Sequence, residues 1–129
     1  MKRISLVEDD EVYADFLKKT FEKDEKYKVE VFGNAEDCLL ELESKINPQI
    51  LIIDYFLPGM NGIDLYERIR KSYRNIRLIM LSSNTDVSLV VDLVRQGIRN
   101  YVIKDENVVD SLIAVIEEND DLLIDLYSE

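Results

Sequence analysis

The stretch Leu51–Gly62, LIIDYFLPGMNG, decides how the chain is read. With Ile50 in front, it opens on an unbroken apolar run that ends on one carboxylate, Asp54, and Pro58-Gly59 then signals a turn. A run that is apolar at every position, rather than at alternate ones, suits a strand covered on both faces, as in a parallel sheet flanked by helices. An acid at the end of such a strand needs a reason, because a buried charge is costly unless it is paired.

The same pattern recurs outward from this point. RISLV (3–7), YKVEVF (27–32), QILIID (49–54), IRLIMLS (76–82) and NYVIK (100–104) read as strands. Lys28-Val29-Glu30-Val31 alternates polar and apolar, which suits an edge strand. Between the strands run helical stripes. Val12, Phe16, Leu17, Thr20 and Phe21 predict the inward face of the first helix, and Ala35, Cys38, Leu39, Leu42 and Ile46 that of the second. Ile63, Tyr66, Ile69 and Tyr73 mark the third, Val87, Val90, Val91 and Val94 the fourth, and Val109, Leu112, Ile113 and Ile116 the fifth. Asp10 and Asn34 are expected to cap the first two helices, Ser83 or Asn84 the fourth, with Gly97 ending it. This alternation predicts an α/β fold, a doubly wound (βα)5 flavodoxin-like three-layer sandwich.

Composition sets limits on function. The 129 residues make one domain, with 47% hydrophobic and 33% charged residues. A net charge of −11 argues against the domain itself binding nucleic acid, which needs a basic patch. The single cysteine, Cys38, allows no internal disulfide and suits a reducing, cytoplasmic setting, where it is expected to pack as a small hydrophobe. No apolar run approaches the ~20 residues that span a bilayer, so no membrane association is expected. The chain contains no histidine, which removes His-based triads and His-ligated zinc and leaves any histidine chemistry to a partner.

In a doubly wound fold the functional edge lies at the carboxyl ends of the strands. Strand one ends in Glu8-Asp9-Asp10, strand three in Asp54, strand four in Ser82-Ser83 and strand five at Lys104. Clustered carboxylates must bind a cation or take up a proton. An oxygen-only donor set favours Mg²⁺, with Mn²⁺ as the alternative. A carboxylate beside such an ion can accept a phosphoryl group, with the metal and a lysine offsetting its charge. Singly, each residue has an ordinary use: Asp10 as a cap, Lys104 as a solvated strand end, Pro58-Gly59 and Asn61-Gly62 as turns. Their joint arrival at one rim points to chemistry.

The motifs LVEDD (6–10), IIDYFLPGMNG (52–62), IMLSS (79–83) and NYVIKD (100–105), in this order, resemble the receiver domain of response regulators, the CheY-like domain of two-component signalling. The resemblance covers residues 2 to 118 and implies a parallel five-stranded sheet in the order 2-1-3-4-5. By resemblance, Asp54 is the phosphoacceptor, and Glu8, Asp9, Asp54 and the Phe56 backbone carbonyl hold Mg²⁺. Ser82 hydrogen-bonds the phosphoryl group and Lys104 pairs with it. Ser82 and the aromatic Tyr101 form the switch, and Phe56 and Asn84 tune the phosphate's lifetime, with a bulky Phe56 expected to hinder water. The partner implied is a histidine kinase or histidine phosphotransferase, and the output face is helix four, strand five and helix five. Such a protein catalyses its own phosphorylation and dephosphorylation and is not a turnover enzyme in the usual sense. It is either a single-domain regulator or the amino-terminal receiver of a longer one, a DNA-binding regulator included. Asp105 stands where the family commonly has proline, and Ser82 where it commonly has threonine.

Two other classes share parts of this pattern. A Mg²⁺-dependent phosphohydrolase of the haloacid dehalogenase type needs a second Asp two residues after the nucleophile, where this chain has Phe56. A flavodoxin needs a Ser/Thr/Gly-rich phosphate loop after strand one, where this chain has EDDE. Arg70, Lys71, Arg74 and Arg77 read as a solvated basic face. In the tail, Val109, Leu112, Ile116, Asn119, Leu123 and Leu126 are spaced as a short heptad seam. Residues 1–118 are therefore read as the receiver unit and 119–129 as an extension of the last helix or a docked tail, with a homodimer through the seam as one expectation.

Overall fold

The structure, a computed structural model, describes residues 1–44, 47–83 and 87–127, with side chains up to Glu117 apart from that of Val87. Strands and helices alternate: β1 Lys2–Val7, α1 Glu11–Glu22, β2 Tyr27–Phe32, α2 Ala35–Ser44, β3 Ile50–Asp54, α3 Gly62–Ser72, β4 Arg77–Ser82, α4 Val87–Arg95, β5 Tyr101–Ile103 and α5 Val108–Tyr127. The strands form one parallel sheet in the order β2-β1-β3-β4-β5.

The apolar run of β3 is explained by period-two alternation between two cores. Ile50 and Ile52 face α1 and α5, packing with Leu17, Phe21, Leu112 and Ile116. Leu51 and Ile53 face the other way, toward Cys38, Leu65, Ile69 and Leu93 of α2, α3 and α4. Because both faces are covered, neither can carry a polar residue without a partner. At the sheet edge only one face is covered, so Lys28 and Glu30 of β2 point outward while Tyr27 and Val29 are buried.

The caps follow their sequence signals. The Asp10 side chain accepts from the Tyr13 N–H at 3.1 Å and Asn34 from Asp37 at 2.8 Å, while Asn61, read from sequence as a turn residue, caps α3 by accepting from Asp64 at 2.9 Å. Gly97, at φ +93°, ends α4 with Ile98 N–H donating to Leu93 O and Gly97 N–H to Val94 O, the paired bonds of a left-handed helix stop. Asn84, one of the two expected caps of α4, lies outside the described residues, as does Ile46.

Two helical stripes differ from expectation. In α1 the buried residues are Ala14, Leu17 and Phe21, whereas Val12 and Phe16 are 82% and 49% exposed. In α4 Leu93 is the buried anchor, with Leu89 packed beside it, while Val91 and Val94 are exposed. An apolar-rich helix offers overlapping stripes, and the sheet selects the one that lets the backbone approach; small Ala14 decides it in α1.

Arg77 is not part of a solvated basic face. It sits at the start of β4, and its guanidinium donates to the carbonyls of Val115, and of Ile116 at 3.1 Å, tying α5 to the sheet. Glu117 accepts from the Tyr27 hydroxyl and lies 3.6 Å from the Lys2 ammonium. Part of the heptad seam is used in the same packing. Leu112 and Ile116 are fully buried in the domain's own core and cannot be offered to a second copy. The side chains of Asn119, Leu123 and Leu126 lie outside the described residues.

Gly62, at the start of α3, does more than turn the chain. A Cβ here would sit 2.2 Å from the Asp54 carbonyl oxygen and 2.9 Å from the Tyr55 Cα. The helix therefore abuts the end of β3 only because residue 62 has no side chain. Gly62→Ala is expected to lose on the order of 1–3 kcal/mol, because overlap with backbone cannot be relieved by a rotamer change. Urea denaturation checks the loss, and amide shifts at Asp54 and Tyr55 should report the displaced strand end.

Candidate functional site

The carboxyl ends of β1, β3, β4 and β5 bring the candidate residues to one rim. The Glu8 N–H donates to Phe32 O at 2.9 Å, prolonging the β1–β2 ladder past β1 and fixing Glu8 beside the sheet. Asp54 is the last residue of β3, opposite Leu81. Ser82 follows Leu81 on β4, and its carbonyl accepts from the Lys104 N–H at 2.9 Å, placing Ser82 between the strands that carry Asp54 and Lys104. Glu8, Asp54 and Ser82 are 2%, 4% and 0% exposed, while Asp9 is open to solvent.

Glu8, Asp9 and Asp54 each offer a carboxylate oxygen, and these oxygens lie within 4.8 Å of one another. The Lys104 ammonium bonds Glu8 Oε1 and lies 3.4 Å from Asp54 Oδ2, with its side chain only 18% exposed. Glu8 Oε2 also accepts from the Asp10 N–H at 3.2 Å. Burial is the main cause that pushes the Glu8 carboxyl up from 4.5 to about 7; Lys104 pulls it down and neighbouring Asp54 pushes it up. All three donors are oxygens, and the two buried ones have one ammonium between them. Such a set fits a hard divalent cation of the Mg²⁺ or Mn²⁺ kind.

Phe56 lies just beyond the cluster, where its N–H is 3.4 Å from Asp54 Oδ1. Its ring packs edge-on against Tyr55 at 4.6 Å and is more than half exposed, in an open cleft shared with Asp9, Leu57 and Asn61. Tyr101 of β5 pairs with Met80 and lies half-buried against the core beneath α3 and α4. Every peptide bond among the described residues is trans, including that between Lys104 and Asp105.

Sequence reasoning missed Tyr13. It stands in the first turn of α1, with the Lys104 ammonium 4.7 Å from its ring centre. Its hydroxyl is buried with no hydrogen-bond partner among the described residues. Burial, then the charges of Glu8, Asp105 and Asp54, push its phenol up to about 12. The signal was available: a helix capped by Asp10 turns its third residue back toward the strand ends that precede it. Gly62 was read only as a turn residue, because contact with Asp54 O depends on where α3 docks.

The response regulator receiver domain model matches residues 4–117. Among curated relatives, the phosphate regulon transcriptional regulatory protein PhoB of Rhizobium meliloti is 31% identical over 106 residues, covering 81% of this chain and 46% of its own length. The transcriptional regulatory protein DegU of Brevibacillus brevis is 23% identical over 115 residues, 89% of this chain and 48% of its own. The chain thus spans about half the length of these relatives. Among solved structures, a CheY-like receiver domain protein from Methanospirillum hungatei superposes with a TM-score of 0.79 at 28% identity, over 97% of this chain and 98% of that one. TrrA from Thermotoga maritima, in complex with Mg²⁺ and BeF, gives 0.73 at 26% identity, over 98% and 99%. No helix among the described residues is long and apolar enough to cross a membrane.

The balance of charge around Glu8 has a measurable sign. The folded protein holds the Glu8 proton more tightly than an unfolded chain would. The metal-free protein therefore loses stability as pH rises from about 4.5 through about 7. Asp54→Asn is expected to lower the Glu8 titration midpoint and Lys104→Met to raise it. Carboxyl-carbon NMR titration of the metal-free protein measures both.

Proposed function

The chain belongs to the response regulator receiver domain family, and from that premise we propose that it is a phosphoacceptor switch charged on Asp54. The observation that carries this reading is the placement of Asp54 within reach of Lys104, Glu8 and Asp9 at the carboxyl ends of the central strands. A phosphohistidine of a histidine kinase or histidine phosphotransferase is the donor. An Asp54 carboxylate oxygen attacks phosphorus, the phosphorus–nitrogen bond breaks, and its electron pair returns to the donor's imidazole. The product is an aspartyl phosphate.

Glu8, Asp9, Asp54 and the Phe56 carbonyl would hold Mg²⁺ or Mn²⁺. When bound, that ion offsets charge on the phosphoryl oxygens. Lys104 pairs with the transferred group from the β5 side, and the Ser82 hydroxyl hydrogen-bonds it from β4. Movement of Ser82 frees space into which Tyr101 turns, biasing the α4-β5-α5 face between two states. The reaction takes place in the cytoplasm. The output is either direct, as in a single-domain regulator, or through an effector of the kind carried by its longer transcriptional relatives. The phosphohydrolase alternative has nothing to support it, since Phe56 has no proton to give at the position where that chemistry needs its acid.

Incubation with Mg²⁺ and acetyl phosphate should add one phosphoryl group by intact-protein mass spectrometry, and Asp54→Asn should abolish it. An unmodified wild type overturns the reading. Asn84, the other residue assigned to phosphate lifetime, lies outside the described residues, so Phe56 carries the test. Its ring stands at the mouth of the cleft beside Asp54, where it can hinder an attacking water. Phe56→Ala is expected to lose phosphate several-fold faster, as followed by decay of the adduct.

A further inference from the structure

Lys104 has a contact that the receiver chemistry does not call for. Its ammonium meets carboxylates on one side, Glu8 in a direct bond and Asp54 at 3.4 Å, and the ring of Tyr13 at 4.7 Å from the ring centre. Within about 6 Å of an aromatic face a cation is attracted by the ring's electron density, more strongly where water is partly excluded. The ring itself is held. The Tyr13 N–H is fixed by the Asp10 cap, and the ring leans on Phe16 at 6.1 Å between centres.

We propose that Tyr13 is a positioning residue for Lys104, its ring keeping the ammonium at the rim when the Glu8 carboxylate turns away from it. This rests on the phosphoacceptor reading above. Glu8 cannot serve Lys104 and a divalent cation with equal strength, and the two cations repel each other across it. The aromatic contact makes no demand on any carboxylate, so it persists through that exchange. Lys104 is thereby kept over Asp54 and spared a search for the phosphoryl group from free solution.

The unpartnered hydroxyl makes the proposal separable from packing. Among the described residues the hydroxyl makes no hydrogen bond, so Tyr13→Phe removes none of the described contacts and keeps the ring. Tyr13→Leu keeps an apolar side chain and removes the aromatic face.

Two measurements on the full chain decide. In the metal-free protein, the Lys104 ε-methylene protons should resonate upfield of a solvated lysine in wild type and Tyr13→Phe, and return to the ordinary position in Tyr13→Leu. At saturating Mg²⁺ and acetyl phosphate, Tyr13→Phe should phosphorylate at the wild-type rate, and Tyr13→Leu about threefold to tenfold more slowly. The Mg²⁺ midpoint should stay the same in all three, because no ligand has changed. If Tyr13→Leu fails to fold, Tyr13→Met fills the space without a ring and is expected to show the same loss. An absent upfield shift in wild type, or equal rates in wild type and the ring-less variant, overturns the role of Tyr13 alone. A wild type that forms no adduct overturns the phosphoacceptor reading and this inference with it.

Discussion

Two buried carboxylates share one ammonium, and the rest of the site follows from that imbalance. Glu8 and Asp54 lie almost wholly out of water at the ends of adjacent central strands, and the ion pairs described for both are with Lys104. One positive charge cannot balance two negative ones in a poorly solvated place. The remainder must be met by a proton, which is the sense of the raised Glu8 titration, or by a cation, which the third carboxylate at Asp9 helps to attract. The chain carries a net charge of −11, so the overall field favours cations as well.

That arrangement persists because the backbone leaves it little freedom. Glu8 is pinned through its N–H to β2, Lys104 through its N–H to β4, and Tyr55 N–H donates to Leu81 O at 2.8 Å, so both sides of Asp54 are anchored. Behind Asp54, α3 presses its first residue against the strand end, and only glycine permits the approach. Farther away, Arg77 and Tyr27 fasten α5 against the sheet, closing the core that β3 shares with α1. The functional rim is thus held at the carboxyl end of a sheet whose two faces pack into helix-covered cores.

What could be read from sequence divides along the same line. Strand ends are legible because an apolar run has a definite last residue, and Glu8, Asp54, Ser82 and Lys104 all stand where their runs stop. Caps are legible because Asp10, Asn34 and Gly97 act on backbone within a few residues. Facing is less legible. Val12 and Phe16 look as inward as Leu17 until the sheet is present to select Ala14. Contacts between distant elements are not legible at all. Arg77 looks like its basic neighbours, and only α5 crossing over β4 turns it into an anchor. Gly62 belongs to the same class, since it acts across a loop, while Tyr13 is legible only as far as the Asp10 cap that turns it toward the strand ends.

The unequal anchoring of the helices also bears on how charge added at Asp54 is felt elsewhere. Helix α1 buries Ala14, Leu17 and Phe21, and α5 buries Val108, Leu112 and Ile116 while accepting two bonds from Arg77. Among the described side chains of α4, Leu93 alone is fully buried, and Val91 and Val94 face water. Elements with fewer buried contacts yield first when an equilibrium is biased. β4 leads from Ser82, beside Asp54, toward α4, and Tyr101 packs into the same core as Leu93. Under the proposed function, a displacement of Ser82 would therefore be taken up at α4 and β5 before α1 or α5 moves. The output would leave by that face because it is the least expensive part of the fold to rearrange.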